Sequence, residues 1–538
     1  MTLGRPLLVV VLTTVIGLPL AVPVLGLVIH PAGWAALTEF DRIGTLARNS
    51  VILAVGAVAV AVPIGVIAAI LLERTRVRGG RALRAAVVVG LFVPLPVYAA
   101  AWRTTARGNW WGQEVVASDP GEWRPWAEGP AAAAAVHAAA GLPWVVWLVS
   151  LAVRTMDPRL EEDALLAGGT WAALCWVVWP RAAVAAAAAG CIVAVQTLTE
   201  VTVTDLMLVR TFAEEAYTQL VGNPDGVAAA TAVTVPAWGL AAAIAVWLGR
   251  RAENSVSLSP SPSETQRPFH TGYWVTVAST LGLWVGFTVV VGLPVAGLAA
   301  TVGEAGPLVR VIRVHGLTLA DSLLLAAVAG AATVGLALPA CWIARGSRWV
   351  ARIVLVLAAV AWVTPAPLVG LGLKGMIDAL MSTEDATLAV LGLDPPFPPL
   401  RSLLYDQPSP LPAVWAMVIR FFPIAIALLW PAVRQISPDL LDAARLDGAV
   451  WRGVVWPQTR AACGRAVIAV GALGAAEVVA VKLVQPPGRQ SFAEDVFNAM
   501  HYGADTTVAA MCLLQITVAV VVCGIFMTRF GGRLVGRG

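Results

Sequence analysis

The chain has 538 residues, 59% hydrophobic and only 13% charged, where soluble globular proteins run to about 45–50% apolar and about 25% charged. That balance excludes a soluble enzyme, a disordered scaffold and a secreted disulfide-rich module, and it requires a polytopic membrane protein. Net charge is +4, from 36 basic and 32 acidic residues, so where the charges fall matters more than their sum.

Taken in chain order, Met1–Arg5 precede an apolar run to about Val28. The run exceeds the about 7–15 residues of a signal-peptide core and lacks a small-x-small cleavage site, so it reads as a retained first span, near 6–29. Further runs long enough for a ~30 Å hydrocarbon core lie near 50–72, 83–102, 131–153, 173–198, 227–249, 272–300, 318–343, 349–373, 411–433, 461–484 and 505–528. In lipid each must be a helix, because backbone N–H and C=O groups find no water to bond. Twelve spans and an all-α membrane protein are therefore expected. Pro63, Pro143, Pro339 and Pro423 fall inside runs, which membrane helices tolerate.

The loops alternate in charge. Arg74, Arg76, Arg78 and Arg81 follow the second run, Arg250, Arg251 and Arg267 the sixth, Arg345, Arg348 and Arg352 the eighth, and Arg529, Arg533 and Arg537 the last. The opposite loops are acidic: Glu200, Asp205, Glu214, Glu215 and Asp225 against Arg210, then Asp378, Glu384, Asp385, Asp394 and Asp406 against Arg401. Basic loops stay inside, so both termini are expected in the cytoplasm and the chain in the inner (cytoplasmic) membrane. Trp102, Trp110, Trp111, Trp123 and Trp126 crowd one outer loop, as an interfacial belt does.

Residues 252–268, AENSVSLSPSPSETQRP, cannot build a core and read as a linker, so that 1–251 and 271–538 form two halves on either side of 252–270. The halves repeat each other. Pro143/Pro423, Arg154/Arg434, Pro158/Pro438, Leu160/Leu440, Ala164/Ala444, Gly168/Gly448 and Trp171/Trp451 match at one constant offset, as do Phe212-Ala213-Glu214 and Phe492-Ala493-Glu494. Pro94-x-Pro96 matches Pro365-x-Pro367 upstream. Six spans is an even number, so the two copies run parallel, with a pathway expected where they meet.

Each half carries a short helix between its fourth and fifth spans, near 157–171 and 437–451. Asp157-Pro158 and Ser437-Pro438 supply an N-cap followed by Pro at the first helical position. Leu160, Ala164, Gly168 and Trp171, repeated as Leu440, Ala444, Gly448 and Trp451, give one apolar face. About ten residues span only roughly 15 Å, too short to cross and too apolar for water. Such a helix either lies among lipid headgroups or docks on a partner.

At these residues the sequence resembles the EAA motif of binding-protein-dependent ABC importer permeases: Glu162-Asp163-Ala164-x3-Gly168 with Pro180, and Asp442-Ala443-Ala444-x3-Gly448 with Pro457. Two copies in one chain resemble the fused ferric-iron and thiamine branch of that family, over roughly 45–250 and 318–528. Asp163 and Asp442 depart from the usual Ala and Glu, and the Gly-to-Pro spacing is short in both copies. The resemblance implies a type I ABC importer permease fold of two parallel six-helix repeats. It makes Leu160, Glu162, Ala164, Gly168, Trp171, Leu440, Asp442, Ala444, Gly448 and Trp451 contacts for two copies of an ATPase subunit, which carry ATP and Mg. It also implies an extracytoplasmic solute-binding protein as partner, with ferric iron favoured as solute and thiamine, sulfate, phosphonate or polyamine open.

The chain has no GxxxxGK[ST], so it cannot cradle ATP itself. His30, His137, His270, His315 and His501 are scattered, and Cys175, Cys191, Cys341, Cys463, Cys512 and Cys523 form no CxxC. No catalytic constellation, metal site, bound cofactor or nucleic-acid partner is expected. Thr199, Glu200 and Asp205 end the fifth span, and Glu477 and Lys482 the eleventh. Ionisable groups at membrane depth line a pathway; at span ends they can equally cap helices in the outer aqueous layer. The competing architecture is a secondary transporter of two six-span repeats, which would need charges near the bilayer midplane and leaves the two short helices unexplained.

Overall fold

All regular structure among the described residues is helical in the computed structural model, which describes the chain except residues 1–3, 30, 108–127, 220–223, 255–268, 270–271, 394, 396–397, 487, 503–504 and 531–538. Trp110, Trp111, Trp123, Trp126, Arg267, His270, Asp394, Arg533, Arg537 and nearly the whole linker lie outside the described residues.

The chain begins with α1 (Gly4–Leu12) and α2 (Leu18–Ile29), joined through a π turn at Thr13–Gly17. Next come α3 (Phe40–Arg74), then α4 (Gly80–Gly90) and α5 (Leu95–Arg107), which meet at a 110° bend. α6 (Pro130–Arg154), α7 (Pro158–Ala172) and α8 (Trp179–Thr199) follow, then the short α9 (Thr202–Leu206) and α10 (Phe212–Thr218), and α11 (Pro224–Asn254). The second part opens with α12 (Tyr273–Phe287), α13 (Leu293–Val302) and α14 (Ala305–Arg345). α15 (Arg348–Val363) and α16 (Ala366–Leu391) meet at a 114° bend, and α17 (Pro399–Arg401) is a single turn. α18 (Leu411–Arg434), α19 (Pro438–Leu446), α20 (Trp456–Gly474), α21 (Val479–Val484), α22 (Phe492–His501) and α23 (Asp505–Phe530) complete the chain. Apart from α17, the elements follow in the same order as in the first part.

Nine helices among the described residues are long and apolar enough to cross a membrane, and eleven if each bent pair counts as one span. The spans expected at 83–102 and 349–373 are bent pairs, broken where Pro94 and Pro365 interrupt the backbone ladder. The expected span at 461–484 is not one long apolar helix. α20 ends at Gly474, four residues leave the helix before α21, and Arg460 and Arg465 interrupt the apolar run.

Proline also explains the π turns. Thr13–Gly17, Ala173–Val178, Thr288–Gly292 and Val450–Val455 each end two residues before a proline: Pro19, Pro180, Pro294 and Pro457. A proline ring crowds the carbonyl one turn back and gives it no N–H; widening the turn relieves the crowding. The carbonyl left over by Pro19 is that of Val15, and the Trp415 indole N–H donates to it at 2.7 Å. A hydrogen bond between helices thus repairs a sequence-encoded break.

The two parts share their cores. One apolar cluster joins α1, α2, α14–α16, α18, α20 and α21 with Val201 and Ala213 of the first part; another joins α3, α5, α6 and α9 with α13, α22 and α23. α2 lies against α16 and α13 against α5, so each opening span packs on the other part. Helices in lipid gain from close backbone approach, and glycine permits it. A Cβ on Gly372 would stand 2.0 Å from the Pro19 carbonyl oxygen, and one on Gly330 2.6 Å from that of Val467.

Candidate functional site

Where the two bends face each other, a cavity of about 160 Å³ opens between the parts. Phe92, Trp144, Trp362 and Phe421 contribute aromatic walls, and Gln196, Thr199, Glu200, Arg420 and Glu477 the polar lining. Each carboxylate is held by the short helix after it. Glu200 accepts from the N–H groups of Thr202 and Val203 at 2.7 and 2.9 Å and from the Thr202 hydroxyl, at the start of α9. Glu477 accepts from the Ala480 N–H at 3.1 Å, at the start of α21. Helix N-termini favour carboxylates, so the chain break after each span fixes an acid toward the cavity. The Glu200 and Glu477 side chains are only 12% and 11% exposed.

The partners of the two acids differ. Arg420, from the middle of α18, stands 3.8 Å from Glu477 and donates to the Thr364 carbonyl at 2.8 Å and to the Thr199 hydroxyl at 3.4 Å. His137, from α6, lies fully buried with Nε2 4.0 Å from Glu200 and without a hydrogen-bond partner. Sequence reasoning missed both as site residues. The signal was present: each is an ionisable side chain inside an apolar span. Thr199, Glu200 and Glu477 therefore come together, whereas Asp205 and Lys482 stand apart from the cavity. Asp205 pairs with His501 at 3.1 Å; Lys482 reaches Glu494 at 3.9 Å and Asn498 at 3.3 Å, and lies 5.5 Å above the Phe497 ring. α9 and α21 each sit one turn beyond the acids, which carries these charges outward. The Asp205–His501 pair and the Tyr217–Phe497 edge contact bridge the two parts there. Bonding to Asp205 raises the His501 pKa above its ordinary value, and burial raises that of Glu494.

α7 and α19 lie at the other ends of α8 and α20, hence on the opposite side from α9 and α21. Asp157 caps α7 by accepting from the Arg159 N–H at 3.0 Å; the Ser437 side chain makes no such bond to α19. Of the expected apolar face, only Ala164 and Ala444 turn inward within the chain; the rest stays exposed. In α7, Glu161 and Ala164 point inward while Leu160, Glu162, Gly168 and Trp171 are exposed. In α19, Leu441 and Ala444 point inward while Leu440, Asp442 and Gly448 are exposed. The inward turn belongs to Glu161 because the buried Arg74 grips it, Nε to Oε1 at 2.8 Å. α7 kinks before 171, and α19 ends before 451. Gly168 leaves helical geometry and Gly169 takes φ +73°, while α19 stops at Leu446 with Gly448 at φ +64°. Left-handed backbone favours glycine, so the constraint at Gly448 is conformational: a Cβ there meets nothing within 4 Å. Trp451 lies 5.5 Å from the Trp342 ring. Leu166 and Leu446 project outward, 88% and 89% exposed.

Among the described residues, no group of three His, Cys, Asp or Glu stands together as metal ligands. No family model, curated protein or solved structure matches the chain.

Proposed function

We propose that the chain is a fused permease subunit of an ATP-driven, binding-protein-dependent importer, made of two parallel six-span repeats. The observation that carries this reading is the pair α7 and α19. Two short helices at matched positions on one side present Leu160, Leu166 and Trp171, and Leu440, Leu446 and Trp451, with no covering segment of their own among the described residues. Helices of this kind transmit motion when an ATPase subunit docks on each. The central cavity, placed where both bends and both acids converge, supports alternating access between the halves. Its two carboxylates against one guanidinium, with aromatic walls, support a small cationic solute; ferric iron and thiamine are both cations. Separate subunits supply ATP hydrolysis, and an extracytoplasmic binding protein delivers solute to the α9–α22 side. In this reading the α7–α19 side and both termini face the cytoplasm, so a cysteine at position 78 or 348 reacts from inside and one at the exposed position 210 from outside.

One observation favours the secondary transporter: Glu200, Glu477, Arg420 and His137 form an ionisable cluster within the helical bundle, as ion coupling would use. Reconstitution with a candidate ATPase subunit and a candidate binding protein separates the two. The importer reading expects solute-stimulated ATP hydrolysis and uptake insensitive to ionophores. Uptake without any ATPase, abolished by collapsing an ion gradient, would overturn it.

A further inference from the structure

The two halves solve the same charge problem differently at the base of their short helices. In each, the arginine that ends the second long helix clamps the loop before the short helix. Arg74 donates to the Val153 carbonyl at 2.8 Å, and Arg345 to the matching Val433 carbonyl at 3.1 Å and to Ile436 at 2.6 Å. In the first half the positive charge is then neutralised. Arg74 pairs with Glu161 at 2.8 Å; Arg154 pairs with Glu73 at 2.7 Å, and Arg84 with the same acid at 3.3 Å. In the second half the clamping arginine remains as Arg345, but Leu441 stands for Glu161. Carbonyl oxygens satisfy the Arg345 donors without cancelling its charge.

A pocket of about 330 Å³ opens at this place, lined by Arg5, Arg345 and Arg445 with Trp342, Leu441 and Asp442. Arg5 comes from the start of α1 and donates to the Gly346 carbonyl at 3.3 Å. The only carboxylate lining the pocket is Asp442, which Arg445 already engages at 2.5 Å. Three arginines therefore line the pocket with one acid that is already engaged, beside Trp342. Guanidinium forks fit phosphate oxygens, which unlike a single carboxylate can accept from several donors at once.

We propose that the pocket between α14 and α19 binds a phosphate group, supplied by the headgroup of an acidic phospholipid or by a free phosphate anion. The phosphate replaces the charge that Glu161 provides in the first half, and it ties α1, the end of α14 and α19 together. Basic pockets between helices at a membrane face hold anionic headgroups in this way. No ATPase partner is needed for it, so it can fail or hold independently of the importer reading.

The test uses the full chain in nanodiscs of phosphatidylcholine, with phosphatidylglycerol added in one arm and inorganic phosphate, against chloride of equal ionic strength, in another. Thermal unfolding and retained lipid by native mass spectrometry are read for the parent, Leu441→Glu and Arg445→Gln. Leu441→Glu restores the first-half acid without removing any arginine; Arg445→Gln changes an exposed side chain and leaves buried packing intact. Expected is a stabilising shift in the parent that weakens about tenfold in apparent affinity in both variants. A shift with phosphatidylglycerol alone assigns the headgroup, and one with inorganic phosphate assigns the free anion. If neither ligand gives a shift, or both variants keep it at parental strength, the proposal is overturned.

Discussion

The base of α7 and the base of α19 carry the same arginine clamp on different electrostatics. Arg74 and Arg345 make the same bond to Val153 and Val433, yet Glu161 neutralises one and Leu441 leaves the other charged. The bonds that hold the backbone are kept in both halves, while the charges around them diverge. The cavity follows the same rule: Glu200 and Glu477 cap equivalent short helices, but His137 faces one and Arg420 the other.

The sharpest way to break this comparison is to exchange the unmatched residues. Glu161→Leu leaves Arg74 buried without its acid, and removing one partner of a buried pair costs about 3–5 kcal/mol. Leu441→Glu, at the pocket edge, gains a partner for Arg345 and should hold or raise stability. Thermal unfolding of the two purified variants checks the pair, and equal shifts would mean the halves are electrostatically alike. A smaller effect is expected in the cavity. Arg420→Leu removes charge-assisted hydrogen bonds worth roughly 1.5–3 kcal/mol each and should abolish most uptake. His137→Leu, whose Nε2 has no partner, should unfold near the parental temperature.

Next come the glycines that end the short helices. Gly448→Leu and Gly169→Leu force a side chain into left-handed backbone, at roughly 1–2 kcal/mol. Gly168→Leu meets Ala172 instead, whose Cβ would stand 2.8 Å away. Insertion should survive in all three, with transport lost most at Gly448 and Gly169. The smallest effect is the Asp205–His501 bridge. Its bond raises the His501 pKa, so the stabilisation is complete below the ordinary value of about 6.5 and fades as pH rises through the higher folded value. A melting temperature that declines over that window in the parent but stays flat in His501→Gln would support the bridge; parallel profiles would remove it.

Most of the membrane architecture was legible, because apolar runs and proline leave direct marks. The bends at 110° and 114° fall at the paired prolines, Pro94 and Pro365. The span at 461–484 was misread because hydropathy counts apolar residues and does not register where Ala475–Val478 leave the helix. The cavity was half legible. Thr199, Glu200 and Glu477 stood out at span ends, but Arg420 and His137 were passed over inside spans, where apolar neighbours masked them. The inward turn of Glu161 in α7 was not foreseen, because Arg74, which decides it, lies 87 residues away in the chain. That pairing depends on tertiary position and has no local signature.

The central claim is that α7 and α19 each receive one ATPase subunit. Native mass spectrometry of the chain co-expressed with a candidate ATPase subunit, comparing the parent with Leu166→Asp, Leu446→Asp and the double variant, tests it directly. Both leucines are almost fully exposed, so folding should be unaffected. The account predicts two ATPase copies on the parent, one on each single variant and none on the double. Two copies on the double variant, or none on the parent, would contradict it.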